Sequence, residues 1–201
     1  MLISKSENSV TEADLSNYET AHGFTFPREY RAFLLKYNGG ETPETDFRLS
    51  GVSSDLTSFY ELWDDGRGME LHEIEFLVPA FLKDYMFPIA SNAFGDNIFI
   101  CVDGQEYGKI FFRYHDRPKR YIKLADNFLA FIQKCKSKKL GHCYTIEDRI
   151  AMRKKAGHFE PPSKTALSEW QKEIDHFNRI HQEQVLSLIH ISEPTRLQLI
   201  S

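Results

Sequence analysis

Hydrophobic positions along this chain switch between two spacings, and the switches mark its elements. Near the N-terminus the spacing is helical. "TEADLSNYETAHG" begins with Thr11 and carries an acid three residues later at Asp14, a capping-box variant, with Gly23 placed to close the helix. Leu15 and Tyr18 then face inward. In "FPREYRAFLLKYNGG", Pro27 suits the first position of a second helix. Tyr30, Phe33, Leu34 and Tyr37 repeat at three- and four-residue steps, and Gly39 and Gly40 are read as its end.

The middle of the chain reads differently. Residues 41–70 are rich in turn formers and acids, with short strands expected around Phe47–Leu49 and Phe59–Trp63. "LHEIEFLVP" reads as a strand and "PAFLKDYM" as a short helical turn. "NIFICV" and "GKIFFRYH" are β-branched and aromatic, and "DGQEYG" between them makes a hairpin. "IFICV" is apolar on both faces, which places it centrally in a sheet. "RYIKLA" adds a third strand. Asp126 is then expected to cap "NFLAFIQKCKSKK", with Phe128, Phe131, Ile132 and Cys135 on one face and lysines in the last turns, where they suit the helix dipole.

Beyond residue 137 the character changes. "GHCYTIEDRIAMRKKAGHFEPPS" is basic and breaks at Pro161 and Pro162. "KTALSEWQKEIDHFNRIHQEQVL" is helical, with Leu167, Trp170, Ile174, Phe177 and His181 along one stripe; this is read as a docking face for the main domain, with a partner or self-association helix as the alternative. "LSLIHISEPTRLQLIS" shares no pattern with the rest and resembles translated cloning or sequencing adaptors. The expected organisation is an α+β domain over residues 1–136, a basic segment and amphipathic helix over 137–186, and a non-native or disordered tail over 187–201.

Composition sharpens this only in part. Of 201 residues, 41% are hydrophobic, and 16 Phe with nine Tyr suffice for a sizeable core. "MLISKSENSVTEAD" lacks a cationic start followed by an apolar stretch, so no signal peptide is expected. No run approaches a membrane span. Three unpatterned cysteines, Cys101, Cys135 and Cys143, favour reduced thiols and the cytoplasm. The net charge of −4 conceals a segregation. Residues 41–106 hold 14 acids and three bases, whereas residues 107–160 hold five acids and 14 bases. Such separation either builds a surface field that steers a charged partner or is cancelled by pairing of neighbouring elements.

Candidate chemistry is sparse. Cys135, His142, Cys143 and His158 lack the close spacing of a zinc site, and His176 and His181, five apart, do not share a helix face. No metal or other cofactor is expected. There is no G-x-S-x-G elbow, and "GRG" at Gly66–Gly68 is followed by no G-K-[ST]. Acids pair at Asp64/Asp65, at Glu73/Glu75 and at Asp96 near Asp103, but turn-rich acidic stretches are ordinarily solvated. The basic runs "KCKSKKLGH" and "RIAMRKKAGH" accompany no nucleic-acid module, so no direct nucleic-acid contact is expected.

The order of three stretches is more informative than any one of them. "YETAHGFTFPREYRAFLLKYNGG", "FPIASNAFGDNIFICVDGQEYGKIFFRYH" and "LADNFLAFI" together resemble the SUKH superfamily across roughly residues 10–135. The resemblance rests on Phe26, Pro27, Tyr30, Phe33, Leu34 and Asn38–Gly40; on a Pro88–Ala90 turn leading through Phe94, Gly95 and Asn97 into a strand; on the Tyr107–Ile110 hairpin return; and on Phe128 and Phe131. Phe26 stands where leucine is usual, and Asp96 is interposed between Gly95 and Asn97.

The resemblance implies one α+β domain, with a mixed or antiparallel sheet flanked by N-terminal and C-terminal helices and here a C-terminal helical extension. It further implies no catalysis. It suggests a cytoplasmic immunity protein that neutralises a cognate polymorphic toxin, in the first instance a basic nuclease. The alternative is an intracellular regulatory or scaffold module in cell-wall or signalling control. An enzyme using acids around the Asp96–Asp103 bend is a third reading. For the immunity reading, the partner-binding candidates are Glu41, Glu44, Asp46, Trp63, Asp64, Asp65, Glu70, Asp96 and Asp103. The partner is then a protein, with no nucleic acid or membrane involved, and the oligomeric state stays open.

Overall fold

A computed structural model of the chain describes residues 1–62, 77–139, 141–179 and 183–185. Helix α1 spans Glu12–His22. Its capping box forms as expected: the Asp14 N–H donates to Thr11 Oγ1 at 3.2 Å, and the Thr11 N–H donates to the Asp14 carboxylate at 2.8 Å. Gly23 closes it in the left-handed region. Helix α2 spans Arg28–Tyr37 with Pro27 at its N-cap, one position before the expected site. Asn38, at φ 45°, ends it rather than the glycines. Asparagine tolerates this conformation better than most residues. Its side chain is then used: Oδ1 accepts from the Leu62 N–H at 3.0 Å.

Gly39 and Gly40 serve a different purpose. Both have positive φ, and a Cβ at Gly39 would lie 2.6 Å from the Tyr60 carbonyl oxygen. At Gly40 it would run into the Ser4 carbonyl. Here the end of α2 threads between strand β1 (Leu2–Lys5) and the segment after strand β3 (Val52–Phe59), where no side chain fits.

Strand β2 covers Gly40–Leu49 and pairs antiparallel with β3 in the register Leu49↔Val52. This is a larger hairpin than the two short strands expected, and β3 ends at Phe59, where the second was expected to start. The missed signal is Ser50-Gly51. Both residues have positive φ, the two-residue turn whose twist matches a hairpin. The acids that suggested loops occupy alternate, solvent-facing positions, with Thr45 and Phe47 buried between exposed Glu44, Asp46 and Arg48. Of the strand expected over residues 71–79, residues 71–76 lie outside the described residues, and Val78 and Pro79 fall in a helix instead. Helix α3 is the expected short turn, Val78–Leu82.

Strand β4 (Met86–Ser91) takes up Pro88–Ala90, so the expected turn is confined to residues 92–96, with Gly95 at φ 80°. The ladder to β5 (Asn97–Cys101) breaks register between Pro88 and Ala90, a bulge that accommodates the missing proline N–H. β5 pairs with β6 (Ile110–Arg113), and β6 with β7 (Ile122–Ala125). Helix α4 (Phe128–Lys134) follows. Asn127, not Asp126, caps it through the Ala130 N–H at 2.8 Å, while Asp126 pairs with Lys123 at 2.5 Å. Strand β8 (Lys136–Ser137) returns to β2. Helices α5 (Ile146–Lys155) and α6 (Lys164–Arg179) lead to β9 (Glu183–Gln184), which pairs with β1.

The domain is α+β with an antiparallel sheet, and the described strands run in the order β7-β6-β5-β4-β3-β2-β1-β9, with β8 beside β2. Two-residue alternation sorts the side chains of β5 and β6. Ile98, Ile100, Ile110 and Phe112 join the main core under α1, α2 and α4. Phe99, Cys101 and Phe111 join a second cluster with Phe81 and Met86 on the other face. Both faces of β5 are covered, as its double apolar pattern indicated. In the main core, the Phe33 ring lies 5.0 Å from that of Phe59 and 5.1 Å from that of Phe128. One helix from each end of the sequence thereby grips the same part of the sheet.

Candidate functional site

The N–A–F–G–D turn between β4 and β5 is a tightly hydrogen-bonded surface feature. Asn92 Oδ1 accepts from the backbone N–H groups of Phe94 at 2.9 Å and Asp96 at 2.8 Å. The Gly95 N–H returns to the Asn92 carbonyl at 3.2 Å, with Gly95 at φ 80°. The Asn92 amide also donates to Ser54 on β3 at 2.9 Å, and the Ala93 N–H donates to the Asp55 carboxylate at 3.0 Å. The turn is thus anchored to the β2–β3 hairpin. Phe94 stands at its tip, 74% exposed.

Asp96 is buried beneath this turn. Its Oδ1 accepts from the His115 N–H at 2.9 Å and lies 2.8 Å from His115 Nδ1, while Oδ2 accepts from the Asn92 amide at 3.0 Å. Burial alone would push this carboxyl up. The hydrogen bonds from His115 and Asn92 outweigh it and hold the group below the ordinary carboxylate range. Asp96 therefore fixes where β6 ends against the β4–β5 turn. Beside it a groove of about 540 Å³ runs past Asp46, Arg48, Asp55, Tyr114 and Asp116, with Phe94 on its rim. Asp46 faces Asp55 directly across the β2–β3 ladder. Like charges in that position are unfavourable in the isolated fold.

The nine candidates separate into groups. Asp46 and Asp96 meet at the groove. Glu41 and Glu44 lie further along β2. Asp103 is exposed beyond the opposite end of β5 from Asp96, about 20 Å away by the rise of a strand. The Asp96–Asp103 bend therefore offers no paired carboxylates. Trp63, Asp64, Asp65 and Glu70 lie outside the described residues. The sequence reading missed Asp55, Phe94, Tyr114, His115 and Asp116. In the sequence Asp55 and Asp116 are visible only as acids far apart, and Phe94 falls within the stretch that carries the family resemblance.

The segregated charge is partly neutralised. Glu44 pairs with Lys138 at 3.0 Å, Asp46 lies opposite Lys136 in the β2–β8 pairing, and Glu41 lies 3.8 Å from His176 Nε2. Cys101 and Cys135 are buried, and burial pushes both thiols up, Cys135 to about 12. Both are inert hydrophobes at neutral pH. Among the described residues no three His, Cys, Asp or Glu side chains gather as a metal site, and no helix is long and apolar enough to cross a membrane.

The turn presents an exposed aromatic tip beside carboxylates on an antiparallel sheet. The family model for the SMI1 / KNR4 family (SUKH-1) matches residues 9–134, and the chain belongs to that family. Its members are in general non-catalytic immunity or regulatory proteins. No curated protein matches the chain. Apart from Phe94, the residues that carried the resemblance prove architectural. Tyr107 donates to the Thr25 carbonyl at 3.2 Å, and a Cβ at Gly108 would lie 3.8 Å from Pro27. The hairpin return and the start of α2 are therefore one joint.

Proposed function

We propose that the protein is a non-catalytic immunity protein that binds and neutralises a cognate polymorphic toxin, in the first instance a basic nuclease. The observation that carries this reading is the groove where Asp46, Asp55 and Asp116 converge beside the locked Phe94 turn. A nuclease must present cations to phosphates. Carboxylates spaced along a sheet offer those cations a substitute for the polyanion, and complementary charge accelerates encounter and selects the partner. Binding a basic partner also relieves the repulsion between Asp46 and Asp55. Lasting occupancy needs a desolvated anchor, for which a pre-positioned aromatic is well suited.

The test is co-expression with the product of the adjacent gene, scored for rescue of growth and for co-purification. Rescue is expected, with an association rate that falls as salt rises. Failure of both rescue and co-purification would overturn the reading. The regulatory or scaffold reading draws on the α5–α6 pair, which lies outside residues 9–134 and exposes Met152 and Phe159. A cell-wall or signalling gene as neighbour, with no toxin-like frame, would favour it.

A further inference from the structure

We propose that the described residues between 138 and 185 form a releasable strap across the corner of β1 and β2 that carries Glu41 and Glu44, and that a basic partner displaces it. This rests on the immunity reading for the partner's charge, but the strap itself follows from the packing.

Both ends of the segment are hydrogen-bonded to the sheet, and between them α6 touches β2 through the exposed pair His176 and Glu41. At the start, β8 is firmly held. Ser137 Oγ lies 2.7 Å from Thr45 Oγ1 and accepts from the Leu2 N–H at 2.8 Å. At the finish, Leu2 faces Gln184, Ile3 faces Glu183, and the Val185 N–H donates to the Met1 carbonyl at 3.0 Å. Between these points no described residue from 138 to 184 is buried. α5 and α6 lean on each other through Arg149, whose guanidinium pairs with Glu173 at 2.5 Å and sits over the Trp170 ring. Where α6 approaches the sheet, through His176 and Glu41, a groove of about 590 Å³ remains among Lys5, Asn8, Lys36, Glu41 and His176. The strap rests on the body without interlocking with it.

Its charged contacts fall on acids that the immunity reading assigns to the partner. Lys138 holds Glu44 and His176 faces Glu41, each pair well exposed and so weakly held. A cationic partner can take over both acids. Release would also uncover the outer edge of β1, whose backbone groups now pair with β9.

The full chain provides the test. Because Met1 and Val185 form a hydrogen-bonded pair, Leu2 and Gln184 form the closer, non-hydrogen-bonded pair beside it, which suits a disulfide. The variant Leu2→Cys/Gln184→Cys with Cys143→Ser locks the strap when oxidised and frees it when reduced. A fluorescent deca-lysine peptide at low salt should bind the reduced form at least about fivefold more tightly than the oxidised form. Equal affinity would overturn the strap. Lys138→Gln/His176→Gln should bind the peptide about twofold more tightly than the unaltered chain, with no disulfide needed. In hydrogen exchange, α5 and α6 amides should open at least about 100-fold more readily than those of β5, and the peptide should speed them further. Protection equal to that of β5 would also overturn it. Inhibition of the purified product of the adjacent gene in vitro, where the disulfide persists, separates the two ideas. An oxidised chain that inhibits as well as the reduced one sinks the strap alone; no inhibition by either form, with the peptide results intact, sinks the immunity reading alone.

Discussion

The body over residues 1–137 and the arm beyond it use the same local devices to different effect. α1 and α5 both begin with a complete capping box, Thr11 with Asp14 and Thr145 with Asp148. α2 and α6 both carry an apolar stripe. In α2 the stripe of Tyr30, Phe33, Leu34 and Tyr37 is at most 1% exposed. In α6 Leu167, Trp170, Ile174 and Phe177 are only half-buried. The contrast teaches that capping and amphipathic spacing specify a helix, whereas its stability depends on what the stripe meets. In the body it meets Phe59 of the sheet and Phe128 of α4, whereas no described residue of the arm's stripe is buried.

Substitutions can break or sharpen this contrast. The largest effect is expected at Phe33, enclosed by Phe59 and Phe128. Phe33→Ala should lower unfolding stability by about 3–5 kcal/mol in urea titration, while Trp170→Ala should change it by less than about 0.5 kcal/mol. Similar losses at both sites would mean that the arm belongs to the same cooperative unit. Next is Gly40→Ala, which combines a strained φ with a clash into the Ser4 backbone and should cost about 3 kcal/mol or more in the same titration. At Asp96, replacement by Ala strands the His115 and Asn92 donors and should cost about 1–3 kcal/mol.

Asp96 also predicts a dependence on pH. Folding lowers its affinity for a proton, so the unfolded chain takes up that proton first as pH falls. Its contribution is complete above the ordinary Asp value of about 3.9 and is lost as pH drops through the lower folded value. Stability curves of the unaltered chain and of Asp96→Ala should converge there; a constant gap would refute the assignment. The smallest effects compare the two caps. Thr11→Ala should cost about 1 kcal/mol of global stability. Thr145→Ala should leave the global midpoint in place and raise only the exchange of α5 amides.

The sheet's centre was legible because β5 is apolar on both faces, which only an interior strand can satisfy. The β2–β3 hairpin was not, because its acids and hydroxyls alternate with Thr45, Phe47 and Leu56 and so resemble loop composition when counted in bulk. The candidate surface divides similarly. The sequence marked Asp46 and Asp96 as acids in a negative stretch. Their meeting with Asp55 and Asp116 depends on strand pairings that span tens of residues.

By itself the sequence determined α1 with its capping box, the existence of α2, α4 and α6, the β5–β6 hairpin and the excess of acids before residue 107. These are properties of residues close along the chain, where spacing and backbone preference act directly. Only the tertiary structure decided that Asn38-Gly39-Gly40 is a crossing of three backbones, that Glu44 and Asp46 face lysines ninety or more positions away, and that the arm rests on the body without entering its core. Those outcomes depend on which surfaces come together, and pairing between distant segments leaves no local pattern to read.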